Sequence, residues 1–334
     1  MTPAIFGVAG TTLTADERAF FAEADPAGYI LFGRNCETRD QLRALTDDLR
    51  TIKGRDRLLV SIDQEGGRVQ RMCPPEWPEY PAGEVFDTLY RKAPASAIQA
   101  ARLNAELLAR DLAEVGINVN FHAPCDLRLP ETVDAIGDRA MGEDPMQVAA
   151  LARAVLDGHA RAGVIGCIKH MPGHGRATVD SHHTMPEVTA DEAELEADIA
   201  PFRRLSDAKI GMSAHIRYPV WDPDNPATLS PFVVGNIIRK RIGFDGLLLT
   251  DDIDMQALEG TIPERSARAI AAGCDIVLNC WAKLHDMEGM VSDLPPISQR
   301  AAERLEAALA ATGAAETALA SDELRAQRDA LLAL

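Results

Sequence analysis

Short apolar runs alternate with amphipathic, helix-like stretches along almost the whole chain. Runs this short are typical of buried strands rather than of helices. Eight of them are predicted to be strands: residues 5–9, 29–32, 58–62, 117–121, 164–168, 210–213, 246–250 and 275–278. Helices are predicted from residue 14 and over residues 38–51, 95–115, 145–162, 187–205, 231–241 and 264–272, and an Ala/Leu/Glu/Arg-rich segment, 282–334, predicts closing helices.

The alternation itself predicts the fold class. Strands that alternate with helices form a parallel sheet covered by helices. Eight units of roughly thirty residues favour a closed barrel over an open sheet. The first strand is not followed by the Gly-x-Gly-x-x-Gly of dinucleotide-binding open sheets. We therefore predict a single-domain (β/α)8 TIM-type barrel that spans residues 1–334, with closing helices at about 282–334.

Composition and charge narrow the class of protein. The 334 residues carry a formal charge of −17, which disfavours nucleic acids and anionic membranes as partners. The first residues lack the basic start of a secretory signal, and no apolar run is long enough to span a bilayer. Six cysteines are scattered without Cys-x-x-Cys spacing, which is typical of reduced thiols. We predict a cytoplasmic monomer or weak dimer without a cofactor.

Polar side chains follow several predicted strands at the point where each strand ends. They include Asp63, His122, His215 and Asp251, and a longer cluster between Lys169 and His182. In a parallel barrel these positions converge on the C-terminal face, where the active sites of this fold lie. The sequence therefore predicts a functional site at that face.

Residues 167–186 are the richest of these clusters, because four of the eight histidines lie there. Within it, Asp180 precedes His182 by two residues. An aspartate at that spacing in a loop can accept a bond from the imidazole N–H, fix its tautomer and stabilise the imidazolium. The alternative, which stays open at this point, is a surface loop whose histidines are merely solvated.

Three segments resemble glycoside hydrolase family 3, and within it the bacterial β-N-acetylglucosaminidases of peptidoglycan recycling. They are residues 61–71 (SIDQEGGRVQR), residues 169–175 (KHMPGHG) followed by Asp180-Ser181-His182, and residues 246–255 (GLLLTDDIDM). Two positions depart from the family pattern. Met171 stands where an aromatic or aliphatic residue is usual, and Asp254 stands where a small polar residue is common.

The resemblance implies a TIM-type barrel and a retaining mechanism through a covalent glycosyl-enzyme. By position, Asp251 matches the nucleophile, His182 the acid/base and Asp180 its partner. The positions that match sugar-binding residues are Asp63, Arg71, Arg139, Lys169 and His170. The implied substrates are peptidoglycan fragments with a terminal β-linked N-acetylglucosamine, namely GlcNAc-1,6-anhydroMurNAc and its peptides.

Elementary chemistry is consistent with these roles. Retaining hydrolysis needs a nucleophile on one face of the anomeric carbon and a proton donor on the other. Asp251 ends a predicted strand, where a carboxylate is held rigidly. A histidine has an ordinary pKa of about 6.5, and a neighbouring aspartate raises it, so that the donor is protonated near neutral pH. Glycines and a proline near His182 predict that its loop swings in after the sugar binds.

Other interpretations remain open at this point. A histidine acid/base tolerates a phosphate anion better than a carboxylate does, so a phosphorylase on the same fold is one alternative. A metal-dependent barrel hydrolase is another, with the ligands His170, His174, His182 and Asp251, although Pro172 and Gly173 exclude a shared helical face. Three further features have purely structural alternatives: a buried Asp63–Arg71 salt bridge, a wall or core role for His122 and His215, and packing roles for Trp77 and Trp221.

Overall fold

Eight parallel strands close into a barrel in the computed structural model, which describes residues 1–55, 57–181, 184–312 and 319–334. In chain order the strands are β1 (Thr2–Gly7), β2 (Pro26–Leu31), β3 (Leu59–Ile62), β4 (Val119–Asn120), β5 (Ile165–Met171), β6 (Ile210–Ser213), β7 (Arg217–Tyr218), β8 (Asp222–Pro226), β9 (Leu247–Asp252) and β10 (Ile276–Asn279). Eight of these ten strands form the barrel, in the order β1-β10-β9-β6-β5-β4-β3-β2, and β7 and β8 pair in a separate antiparallel hairpin. Each predicted strand overlaps one of these eight, and the predicted (β/α)8 barrel is confirmed.

The helices cover the outside of the barrel. They are α1 (Ala15–Ala24), α2 (Arg39–Thr51), α3 (Gly83–Lys92), α4 (Pro94–Glu114), α5 (Pro145–Arg161), α6 (Glu192–Arg204), α7 (Ile262–Ala272), α8 (Leu284–Asp293), α9 (Gln299–Leu309) and α10 (Ser321–Leu332), with a π-type helix at Val233–Ile242 between α6 and α7. Thr14 and Glu17 form a capping box at the start of α1, where a helix was predicted from residue 14. In the described part of the chain, no helix is both long and apolar enough to cross a membrane.

The alternation of side chains along the strands divides the core into an inner and an outer part. Ile5, Leu59 and Leu249 point into the barrel and are buried with the inward-facing residues of the other strands. Leu248, which neighbours Leu249, faces the surrounding helices instead. Because side chains fill the interior, the room for a ligand lies at the ends of the strands.

Two elements were not predicted, and one helix begins later than predicted. Helix α3 and the antiparallel hairpin β7–β8 lie in segments that were interpreted as connections.

Helix α6 was predicted from residue 187, but it begins at Glu192. Its N-cap is Asp191, whose carboxylate accepts bonds from the Ala193 and Glu194 amides, while the Glu194 carboxylate accepts the Asp191 N–H. This capping box sets the start of the helix.

The hairpin β7–β8 anchors both ends of the long loop that follows β5. At one end, the Tyr218 hydroxyl donates to the Gly173 carbonyl (2.5 Å). At the other end, the Arg217 amide donates to the Pro186 carbonyl (3.0 Å), and the Val188 amide donates to the Arg217 carbonyl (2.9 Å). The two ends of the loop are therefore fixed against the body of the protein.

Candidate active site

A cavity of about 280 Å³ opens at the C-terminal end of the barrel. Its walls come from β2, β3, β5, β6, β9 and β10 and from the loops that follow the strands. The lining residues are Phe32, Asp63, Arg68, Val69, Arg71, Phe121, Ala135, Arg139, Lys169, His170, Asp180, Met212, Asp251, Asp252, Leu278 and Cys280. Seven of the eight predicted site residues thus share one cavity. The eighth, His182, lies outside the described residues.

The turn after β3 carries two acidic side chains, Asp63, which lines this cavity, and Glu65. Gly66 (φ 101°) and Gly67 (φ 55°) have left-handed backbone conformations that glycine adopts without strain. A Cβ atom on Gly66 would lie 2.4 Å from the Pro81 carbonyl oxygen. The glycines let the chain reverse after Glu65, so that the Glu65 amide donates to the Val69 carbonyl (2.8 Å). Asp63 and Glu65 are held on this tight turn.

Lys169, on β5, joins the two acids. Its Nζ lies 3.1 Å from Asp63 Oδ1 and 2.7 Å from Glu65 Oε1. Arg139 approaches Glu65 from the other side, and its Nε and Nη2 donate to the two carboxylate oxygens (2.9 and 2.7 Å). Arg71 lies further out, with Nη2 3.6 Å from Asp63 Oδ2 and both side chains partly exposed. Asp63 and Arg71 are therefore paired, but not as a buried salt bridge.

All members of the buried part of this network are charged. Burial would raise the pKa of Glu65, but the Arg139 and Lys169 charges hold it well below its ordinary value. Burial would likewise lower the pKa of Lys169, but Glu65 and Asp63 raise it above its ordinary value. Charges out of water are stable only when they are paired and hydrogen-bonded. Glu65 supplies that pairing to both cations.

A second buried acid, Asp126, holds the side chain of His170 in the wall of the cavity. Its Oδ2 accepts from His170 Nδ1 (2.7 Å), and its Oδ1 accepts from the His170 and His174 amides (3.1 and 2.7 Å). Burial would raise the pKa of Asp126, but the His170 contact lowers it. Because His170 donates from Nδ1, its Nε2 faces the cavity.

Asp251 lies at the end of β9, next to that imidazole. Its Oδ2 is 4.0 Å from His170 Nε2, and its Oδ1 accepts the Asp252 amide (2.8 Å). The neighbouring Asp252 also lines the cavity, but burial and then the Asp254 charge raise its pKa well above its ordinary value. The raised pKa disfavours the charged form of Asp252, so the environments of the two adjacent aspartates differ.

The loop that carries Asp180 contacts a buried histidine. Asp180 is half-buried at the cavity wall, and the next residue, Ser181, is buried. The Ser181 hydroxyl lies 3.2 Å from His174 Nε2. Burial lowers the pKa of His174 to about 4, so its imidazole is neutral near pH 7. His174 therefore contacts the loop through its imidazole, and through its backbone amide it contacts the same Asp126 that holds His170.

His122 and His215, whose places were left open, are both buried and neither lines the cavity. His215 lies between Thr228 Oγ1 (2.9 Å) and the Asp252 carbonyl (3.0 Å). His122 stacks edge to face on His159, with ring centroids 5.3 Å apart. Trp77 and Trp221 are buried as well, which makes them packing residues.

The buried histidines predict acid sensitivity of the fold. Burial lowers the pKa of His122 to about 3 and that of His159 to about 4. Between these values and about 6.5, the unfolded chain binds protons that the folded protein does not, so stability falls as the pH drops. We expect each histidine to contribute a loss of about 2–4 kcal/mol between pH 7 and pH 4, measured by urea unfolding. His159→Gln should flatten this dependence, whereas the exposed His285 replaced by Gln should not. Equal slopes in both variants would contradict the prediction.

Sequence reasoning missed Glu65 and Asp126 as parts of the site. Glu65 was visible inside the SIDQEGGRVQR segment, and Asp126 follows the fourth predicted strand. The available signal was a charged residue a few positions after an apolar strand, which in a barrel points to the C-terminal face. Among the described residues, no group of three or more His, Cys, Asp or Glu side chains is arranged to hold a metal ion.

Comparison with known proteins identifies the family. The model of the glycosyl hydrolase family 3 N terminal domain matches residues 7–309. The chain therefore belongs to glycosyl hydrolase family 3, as its motifs predicted, and is a glycoside hydrolase.

Individual relatives agree with this assignment. The chain is 40% identical over 310 residues to a β-hexosaminidase of Chromobacterium violaceum, which covers 91% of this chain and 85% of that protein. It is 39% identical over 287 residues to a β-hexosaminidase of Aromatoleum aromaticum, which covers 83% and 79%. The structure of Neisseria gonorrhoeae NagZ in complex with N-trifluoroacetyl-D-glucosamine matches with a TM-score of 0.87 at 31% identity, over 99% of this chain and 97% of that one.

Proposed function

We propose that this glycoside hydrolase is a retaining exo-β-N-acetylglucosaminidase of the cytoplasm. Its substrates are peptidoglycan fragments, GlcNAc-1,6-anhydroMurNAc and its peptides, from which it removes the terminal β-linked N-acetylglucosamine. The observation that carries the proposal is the Asp251 carboxylate, which faces a cavity of about 280 Å³. That volume lies at the small end of ligand pockets and suits one sugar ring. The similarity to a β-hexosaminidase and to NagZ in complex with N-trifluoroacetyl-D-glucosamine supports the removal of N-acetylglucosamine.

Two displacements at the anomeric carbon account for the reaction. In the first, an Asp251 oxygen forms an ester bond to that carbon while the glycosidic C–O bond breaks, and His182 gives its proton to the departing oxygen. In the second, water attacks the same carbon and gives a proton to His182, and the bond to Asp251 breaks. Both steps invert the carbon, so the sugar is released with its β configuration. Asp180 orients His182 and stabilises its charged form.

The remaining predicted residues hold the sugar. Asp63 accepts from sugar hydroxyls, and Lys169 and Arg71 donate to them from charged groups, which form stronger hydrogen bonds than neutral donors. Arg139 and His170 complete the wall. Lys169 and Arg139 are fixed by Glu65, and His170 is fixed by Asp126, so the polar groups are in place before the substrate arrives. Residues 1–334 form one catalytic domain in this proposal, acting as a monomer or weak dimer.

Product analysis tests the function. Hydrolysis of a GlcNAc-β-1,4-linked disaccharide is followed by ¹H NMR, and β-N-acetylglucosamine should appear before mutarotation. The initial appearance of the α anomer would contradict the retaining mechanism. The assay is repeated in phosphate buffer and in a phosphate-free buffer. Release of N-acetylglucosamine 1-phosphate only in the first would show that the phosphorylase alternative is correct.

The acid/base unit is tested by varying the leaving group. His182→Ala should slow hydrolysis of the disaccharide by roughly 10²–10⁴-fold, the usual contribution of general acid catalysis. A nitrophenyl glycoside needs little protonation and should lose far less in its first step. Added azide should restore turnover of this substrate, because it attacks the glycosyl-enzyme without a general base. Equal losses on both substrates, without azide rescue, would place the acid/base elsewhere.

A further inference from the structure

Trp281 is the exposed tryptophan of this protein. The side chains of Trp77 and Trp221 are 3% and 7% exposed, whereas Trp281 is 61% exposed. It follows Cys280, a cavity residue, directly after β10, and so it lies at the C-terminal end of the barrel. A large aromatic surface left in water at that end of the barrel points to a binding role.

The indole is bonded to the acid next to the proposed nucleophile. Its Nε1–H donates to Asp252 Oδ2 (3.2 Å), and Asp252 lines the cavity beside Asp251. Trp281 is therefore a neighbour of the C-terminal end of β9, and it contacts a residue of the cavity wall without lining the cavity itself.

Asp254 fixes the backbone that carries this tryptophan. Its Oδ2 accepts from Asn279 Nδ2 (2.7 Å), from the Cys280 amide (3.2 Å) and from the Trp281 amide (3.4 Å). Asp254 is one of the two positions at which the chain departs from the family pattern. The departure and the exposed tryptophan thus belong to one local arrangement.

A cation lies against the same ring. Lys283 Nζ is 5.1 Å from the Trp281 ring centroid, within the range of a cation–π contact. Lys283 is exposed, and although burial raises the pKa of the nearby Asp254 overall, the Lys283 charge lowers it. An exposed ammonium beside the ring can also pair with an anionic group of a ligand.

We propose that Trp281 and Lys283 bind the leaving-group sugar, and that Lys283 favours a leaving sugar with a free carboxylate. The cavity has room for one ring, so the second sugar projects past the rim where Trp281 stands. The C–H face of a pyranose packs on an indole, and the ammonium pairs with the carboxylate. This inference rests on the proposed function and adds to it the residues that select the leaving group.

Three substrates separate the subsites. One is GlcNAc-β-1,4-MurNAc, whose leaving sugar carries a carboxylate, and another is chitobiose, whose leaving sugar is neutral. The third is the β-fluoride of N-acetylglucosamine, which has no leaving ring. Trp281→Ala should lower kcat/KM for both disaccharides about tenfold relative to the fluoride, the order expected for loss of an aromatic stacking contact. Trp281→Phe keeps a smaller ring and should lie between.

Lys283 is expected to bind the leaving-group sugar only through the charge of its ammonium group. Lys283→Met should lower kcat/KM about threefold for the carboxylate substrate relative to chitobiose, and high salt should remove the difference. The matched controls are Phe232→Ala and Lys240→Met, exposed residues of the same type that do not line the cavity, and both should leave every ratio unchanged.

The outcomes distinguish the two proposals. A wild-type protein that is inactive on all three substrates would overturn the proposed function, and the role of Trp281 with it. An active wild type whose ratio of disaccharide to fluoride is unchanged in Trp281→Ala would overturn the leaving-group site alone. A Lys283→Met variant that loses equally on both disaccharides would overturn the preference for a carboxylate.

Discussion

Asp251→Ala should lower turnover by roughly 10⁴–10⁶-fold, the order measured when an enzyme loses its nucleophile. The carboxylate is partly exposed at a strand end, so the variant should remain folded. Binding of N-acetylglucosamine should survive, because Asp63, Lys169 and Arg71 are untouched. Stability by urea unfolding and affinity by calorimetry separate this result from misfolding.

Two further measurements identify the atom that reacts. A 5-fluoro glycosyl fluoride should label Asp251 covalently, as detected by mass spectrometry of peptides. In Asp251→Ala, added azide should enter the space of the missing carboxylate and give the α-glycosyl azide. Label on Asp252, or a full loss of activity in Asp252→Asn with normal activity in Asp251→Ala, would reverse the assignment. The raised pKa of Asp252 argues against that outcome.

The barrel was predictable because its signal is local and repeated. Each strand is a short apolar run, and side chains that fill the interior must be apolar whatever they contact. Boundaries were less predictable. Strand β5 continues to Met171, beyond the predicted residue 168, since Met171 pairs with Ser213 of β6 although Lys169 and His170 are polar. Pairing with a neighbouring strand kept these polar residues in the sheet, which a hydrophobic pattern cannot show.

The predicted site residues came together because the fold itself gathers strand ends at one face. The partners of those residues were harder to find. Glu65 meets Arg139 across 74 positions, and Asp126 meets His170 across 44. No spacing rule relates residues so far apart. A single buried acid becomes recognisable as an organising residue only when the structure shows which cations it pairs.

Glu65→Gln should destabilise the protein by about 3–5 kcal/mol, the usual effect of removing one partner of a buried ion pair. The substitution keeps the shape but removes the charge that holds Lys169 and Arg139. The new amide nitrogen would also face an N–H donor of Arg139. Asp63, 3.1 Å from Lys169 and partly exposed, is left as the only carboxylate near that ammonium among the described contacts. Urea unfolding at pH 7 measures the loss.

Asp47→Asn is the matched control. Asp47 pairs with Arg43 one turn away on α2, and both side chains are about half exposed, 51% and 53%. Surface pairs of this kind contribute only about 0.3–0.5 kcal/mol, so the control should be almost as stable as the wild type. A Glu65→Gln variant as stable as this control would mean that the acid is not needed to compensate the buried cations.

A double variant tests whether Glu65 acts through Lys169. Lys169→Met alone leaves Glu65 paired with Arg139, and Glu65→Gln alone leaves Lys169 and Arg139 both positive and close together. When both changes are combined, the charge of Lys169 is removed together with that of Glu65, so Arg139 no longer faces a second uncompensated cation. The double variant should therefore be less destabilised than the sum of the two single variants, by about 0.5–3 kcal/mol for residues in one network. Additive losses would mean that the two side chains are stabilised independently, and that the ammonium of Lys169, which we propose binds the sugar, does not depend on Glu65 for its position.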